Sequence, residues 1–264
     1  MHTNNMFSFK RFIALFKQSL IINKKTIAIS IAGISGTLFV LLMVFQKLDN
    51  FEYWTNENYF SVFLVFFFSL GIIYSSLSFP AFRSKEKSIT YLTLPISASE
   101  KFIFELLTRI VLFILFMPML FWVIANIEGR IVHYYIPEFI NYKFSFSQAL
   151  TEINNNQPIS IWSKLFVVQS GLFVFIAVFT GACYFRRLPL IKTLFAFSTI
   201  VIAYLLFIYL IFKGLNLKDY RPSEQVFFIK NQDDIIALWA LGLTVVNIVL
   251  IAVAWFRLKE KEVL

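Results

Sequence analysis

The residue types able to do chemistry are thinly spread in this chain. Glu105 and Arg109 are four apart, the spacing that brings a carboxylate and a guanidinium together on one helix face. Inside an apolar run such a pair is either a structural ion pair or a relay, and its place in the first turns of the run favours the structural pair. His133 has no second ligand near it in sequence, so a metal is not expected. Cys183 is the only cysteine, which excludes an internal disulfide, and its apolar surroundings predict a packed thiol. The other polar residues within apolar runs are Gln169, Thr180, Asn247 and the serines Ser69, Ser75, Ser76 and Ser78. None is a carboxylate of the kind an ion-driven carrier holds at mid-depth. There is no glycine-rich phosphate loop, no His-Glu-x-x-His and no Gly-x-Ser-x-Gly. The chain is expected to be no enzyme and to carry no cofactor. If it moves something uphill, the energy enters from another subunit.

The densest polar stretch runs from Arg83 through Ser84, Lys85, Glu86, Lys87, Ser88, Ile89, Thr90, Tyr91, Leu92, Thr93, Leu94 and Pro95 to Lys101, caught between two apolar runs. Its spacing predicts a short helix: Ser84 can cap it, Glu86 suits the positive end of its dipole, Ile89 and Leu92 share one side, and Pro95 ends it. A second helix start follows at once. Ser97 and Glu100 have the Ser-x-x-Glu spacing of a capping box, in which each side chain serves one free backbone donor.

Stepping outward, the elements that must carry these residues are membrane spans. The chain has 264 residues, of which 59% are hydrophobic and only 15% charged, with a mean hydropathy of +0.74; that is too apolar for one soluble domain. The periodicity predicts an all-α integral membrane protein with six spans near 26–45, 59–79, 102–126, 165–185, 190–212 and 235–256. Residues 1–25 precede them, 257–264 follow as a tail, and 26–256 read as one transmembrane domain. Met6, Phe9, Phe12, Ile13, Phe16 and Leu20 fall on one face at 100° per residue, so the N-terminal stretch is expected to lie along the membrane as an amphipathic helix. The longer connections include a predicted helix opened by Ser145 with Gln148 three residues on, and a short helix around Arg221 to Phe228.

Basic residues orient the spans. Of the 24 lysines and arginines, 16 fall in the connections on the N-terminal side of the membrane and 8 on the other, which predicts that both termini are cytoplasmic. Ten of the 15 acidic residues, Glu128 among them, then fall in the outer loops. The net charge of +9 is spread over the ends of apolar runs and not gathered on one face, so nucleic acid is not an expected partner and membrane lipid is.

Six spans, cytoplasmic termini, an amphipathic N-terminal helix and a short helix in the first cytoplasmic loop together resemble the permease subunits of ABC-2 type (type V exporter class) ABC transporters. The run Tyr91-Leu92-Thr93-Leu94-Pro95-Ile96-Ser97-Ala98-Ser99-Glu100-Lys101-Phe102 looks like the Leu-x-Leu-Pro-Val/Ile-Ser … Glu-Lys-Phe wording that follows the coupling helix in many such permeases. The resemblance implies a bacterial cytoplasmic (inner) membrane, a homo- or heterodimer with a second permease subunit, and a separate ATP-binding cassette subunit as partner. It also implies a coupling helix over 83–94, with Arg83, Lys85, Glu86, Lys87, Ile89, Tyr91 and Leu92 as its contact residues. The competing expectation is a non-transporting scaffold or sensor that binds a partner through its outer loops.

Overall fold

Backbone donors and acceptors that enter hydrocarbon must be served within their own segment, and the apolar runs accordingly form long helices. The computed structural model describes residues 7–48, 54–83, 96–137, 143–156, 160–185, 187–214 and 232–263. Among them there are helices and turns and no strand: α1 Phe9–Leu48, α2 Asn56–Ser76, a 3-10 turn Pro80–Arg83, α3 Ala98–Leu106, a π segment Leu107–Val111, α4 Leu112–Tyr135, α5 Phe146–Asn156, α6 Ile161–Tyr184, α7 Pro189–Gly214 and α8 Gln232–Val263. Six helices are long and apolar enough to cross a membrane, with α3, the π segment and α4 counting as one; the chain is a multi-pass membrane protein. The contacts divide it into two units, 1–71 with 94–158 and 72–93 with 159–264.

In the first unit, α1 differs from expectation. Sequence periodicity separates an interfacial helix ending near 25 from a span beginning at 26, whereas one helix of 40 residues runs through that boundary. The physical reason is the absence of a breaker: Asn23-Lys24-Lys25-Thr26 holds neither proline nor glycine, and Asn23 Nδ2 donates back to Ser19 O at 3.0 Å. At about 1.5 Å per residue, α1 is about 60 Å long, roughly twice the hydrocarbon thickness. Of the residues on the expected apolar face, Phe12 and Phe16 touch the rest of the unit. Arg11, Phe12, Leu15, Phe16 and Ser19 are half-buried, while Phe9, Ile13 and Leu20 are exposed.

The third span is continuous but not uniform. The Leu112 N–H reaches Leu107 O, five residues back, which marks one widened turn. Pro118 follows inside α4 and removes a backbone donor there. Leu38 and Leu42 of α1, Tyr59 and Phe63 of α2 and Met117, Phe121 and Ala125 of α4 form the core of this unit, closed by Phe144 and Ala149. Phe63 meets Phe121 at 5.2 Å and Phe146 at 5.1 Å between ring centroids, so α5 is held by edge-to-face rings. α5 opens directly after Ser145, as expected, with the Ala149 N–H donating to Ser145 O at 3.1 Å, but the Ser145 hydroxyl pairs with that of Ser147. The Ser145 N–H donates to Asn56 Oδ1 at 3.2 Å and Asn56 Nδ2 reaches Gln148 Oε1 at 3.5 Å, tying the helix start to α2.

The second unit is built on α6 and α8. Thr180 Oγ1 donates to Ile176 O at 2.8 Å and approaches Leu250 O at 3.2 Å; the Cys183 thiol, fully buried, points at Ala254 O at 3.5 Å. Asn247 Nδ2 donates to Gln169 Oε1 at 2.9 Å across the same pair. A Cβ on Gly181 would overlap the Thr193 side chain, so α7 crosses α6 where only glycine fits. None of the most apolar eighteen residues of α7 is buried, which leaves that helix to lipid or to another chain. The 221–228 stretch lies outside the described residues.

Candidate functional site

The polar stretch 83–101 is anchored at both ends, each end within its own unit. Where α2 stops, in the second unit, the chain turns through a corner built from its own side chains. The Ser78 hydroxyl donates to Ser75 O at 2.7 Å and the Ser78 N–H to the same oxygen at 3.2 Å. Phe79 then takes a positive φ of 51°, a conformation that a bulky residue adopts only where packing holds it. Packing does hold it: Phe79 is 1% exposed, stacks on Phe82 at 5.7 Å and meets Phe179 at 5.2 Å. Arg83 closes the corner by donating from Nη2 to Ser76 O at 3.1 Å. This is where the structure places Arg83, in a role that holds the turn.

Lys85, Glu86, Lys87, Ile89, Tyr91 and Leu92, with the cap expected at Ser84 and the stop expected at Pro95, lie outside the described residues. The description resumes at Ile96, in the first unit.

There the third span opens on a reciprocal cap. Ser97 has extended backbone angles, φ −68° and ψ 154°, and its hydroxyl accepts from the Glu100 N–H at 3.3 Å, while Glu100 Oε2 accepts from the Ser97 N–H at 3.0 Å. Glu100 does more than cap. Its Oε1 accepts from the Ser8 N–H at 2.6 Å and from Arg11 Nε and Nη2 at 3.2 and 3.0 Å. One carboxylate therefore serves the start of α3 with one oxygen and the start of α1 with the other, and no part of it is exposed. Phe16 continues the contact one turn along α1, edge-on to Phe104 at 6.3 Å. The start of the span is thus locked both along the chain and across to a helix some ninety residues away.

Glu105 and Arg109 flank the start of the π segment and meet through Oε2 and Nε at 3.5 Å, a long contact of an ion pair in one helix. Glu105 and Arg109 belong to the first unit and Arg83 to the second. Among the described residues, no group of three or more His, Cys, Asp and Glu side chains is placed to hold a metal ion.

Ser8 and Arg11 are the functional partners that sequence reasoning misses here. Arg11 reads as part of a polar flank, and its only signal is a guanidinium one position from the inward residue Phe12. A second omission is Gln46, which is fully buried between Tyr59 and Glu128. Its signal is an amide at the end of an apolar run, on the same helical face as Leu38 and Leu42.

No protein-family model matches the chain, and no curated protein or solved structure matches it either.

Proposed function

We propose that this chain is the permease subunit of an ATP-driven ABC-2 type transporter, an exporter that takes its energy from a separate ATP-binding cassette subunit docked on the 83–94 segment. The reading places both termini and that segment on the cytoplasmic face of a bacterial inner membrane, with a second permease subunit completing the pore. It rests first on the resemblance in wording over 91–102 and on the six spans. The observation that carries it is the doubly used carboxylate of Glu100, which makes the start of the third span stiff.

A motor outside the membrane can move a span only through a connection that does not absorb the motion. A segment that ends in a self-bonded corner at Ser75 to Arg83 and in a capped, cross-braced helix start at Ser97 and Glu100 transmits a push to the spans on either side of it. The basic residues Lys85 and Lys87 and the apolar side chains of Ile89 and Leu92 supply the docking face.

The test is direct. Ile89→Asp or Leu92→Asp places a charge in the docking face, and each is expected to reduce co-purification with the ATP-binding subunit and its stimulated ATPase activity by tenfold or so, about 1.4 kcal/mol of interface energy, while membrane insertion is unchanged. Equal pull-down and equal ATPase stimulation for both variants would refute the docking role.

A further inference from the structure

At the other end of α1, three side chains from three helices make a polar cluster in the apolar core of the first unit. Gln46 of α1, Tyr59 of α2 and Glu128 of α4 are each 0% exposed. Gln46 Nε2 spends its two hydrogens on the Tyr59 oxygen and on Glu128 Oε2, both at 2.9 Å. The Tyr59 hydroxyl faces the same carboxylate. With both amide hydrogens of Gln46 spent, Glu128 Oε1 and Gln46 Oε1 are left as acceptors without a donor. Turning the Gln46 amide over does not help, because it would set a carbonyl oxygen against a carboxylate.

Charge is missing as well as hydrogen. The groups facing Glu128 are Gln46 from α1 and Tyr59 from α2, both neutral, and no Lys, Arg or His of the described residues pairs with it. Around the cluster stand rings: Trp54 meets Tyr59 at 5.5 Å and Phe144 meets it at 5.4 Å. They exclude water, and ring faces tolerate a cation where they would not tolerate a second anion. Trp54 also lines, with Phe45 and Leu48, an open groove of about 340 Å³, so the cluster lies one side chain from solvent or lipid headgroups.

We propose that Gln46, Tyr59 and Glu128 form a binding site for one small monovalent cation, which the unserved acceptors Glu128 Oε1 and Gln46 Oε1 would hold. A single positive charge supplies what the cluster lacks: it neutralises the buried carboxylate and serves both free oxygens. Either an alkali-metal ion or a proton has this chemistry. Since the cluster joins α1, α2 and α4, occupancy ties those three helices together, and emptying it leaves a buried charge that loosens them. The inference stands independently of any partner ATPase.

The experiment uses the full chain in uncharged detergent and reads thermal unfolding. One series exchanges N-methylglucamine for sodium or potassium at fixed pH and ionic strength; the other varies pH without alkali-metal ions. Saturating the site is expected to raise the unfolding midpoint by about 5 °C in one of the two series. A response to sodium or potassium at fixed pH assigns a metal ion, and a response to pH alone assigns a proton. Glu128→Gln, which removes the buried charge and puts an NH2 group in place of one carboxylate oxygen, is expected to sit at the filled-site midpoint and to respond to neither. A wild-type chain flat in both series, or a Glu128→Gln chain that responds like wild type, overturns the proposal. Should Glu128→Gln not be recovered folded, Gln46→Leu takes its place. It removes one of the two acceptors and is expected to shift half-saturation by about tenfold, and an unchanged half-saturation overturns the proposal equally.

Discussion

Two buried glutamates on one continuous span, Glu100 and Glu128, have opposite surroundings. Glu100 takes hydrogens on both oxygens, from the Ser8 and Ser97 amides and from a guanidinium, so its charge and its lone pairs are both served. Glu128 takes a hydrogen on one oxygen, from a neutral amide, and its other oxygen has nothing. Burial alone therefore does not distinguish a structural carboxylate from a receptive one; the balance of donors does. The first is a brace between α1 and α3, and the second is a carboxylate half-served among α1, α2 and α4.

The sharpest way to break this comparison is the same substitution at both positions. Glu100→Gln keeps the shape but leaves one oxygen where two were in use, so an NH2 group must face the Ser8 and Arg11 donors or the Ser97 donor. Losing hydrogen bonds of this charge-assisted kind is expected to cost about 2–3 kcal/mol, read as a lowered unfolding midpoint, with Arg11 only about a third exposed and so partly rescued by solvent. Glu128→Gln removes the unserved charge and replaces an oxygen that has no donor by a donor, and is expected to lower stability not at all. If both variants were destabilised alike, the two carboxylates would be doing the same job and the contrast would fall.

A smaller effect is expected at Tyr59, which accepts from Gln46 and faces Glu128. Tyr59→Phe takes the acceptor from one Gln46 hydrogen and a polar neighbour from the carboxylate, at a cost of about 1.5 kcal/mol. That loss should shrink when the site is filled, because a bound cation supplies the carboxylate from another side. Thermal unfolding of the variant with and without saturating cation measures the difference. A loss of the same size in both conditions would mean that Tyr59 and the cation do not share a ligand.

The spans and the Ser97 cap were legible in the sequence because both are local patterns. An apolar run of about twenty residues and a Ser-x-x-Glu spacing each state their structure within a few turns of chain. The brace and the half-served cluster are not local. Ser8 and Arg11 lie about ninety residues from Glu100, and Gln46 lies 82 residues from Glu128, so nothing in either neighbourhood announces the partner. Glu128 was expected in an outer loop because a charge at the edge of an apolar run normally marks its end; α4 instead continues to Tyr135. Near residue 25 the helix likewise runs on: two lysines and an asparagine change its polarity without interrupting its hydrogen bonds, so the change of polarity marks no helix end there.

Asn247 offers a control for the whole comparison, because it too is buried with an unpartnered oxygen, but it carries no charge. Its Nδ2 donates to Gln169 Oε1 at 2.9 Å and lies 3.3 Å from Gln169 O, while its Oδ1 has no donor. A neutral amide left half-served forfeits part of one hydrogen bond, whereas a carboxylate in the same position forfeits its solvation too. Asn247→Leu gives up the bond to Gln169 and at the same time removes the orphaned oxygen, and hydrogen bonds between membrane helices are worth about 0.6 kcal/mol on average. The expected change in the unfolding midpoint is therefore about 2 °C or less, and it should not depend on the cation present. A large or cation-dependent loss at Asn247 would show that any orphaned buried oxygen in this protein behaves as Glu128 does, and that the missing charge is not what makes the Glu128 cluster receptive.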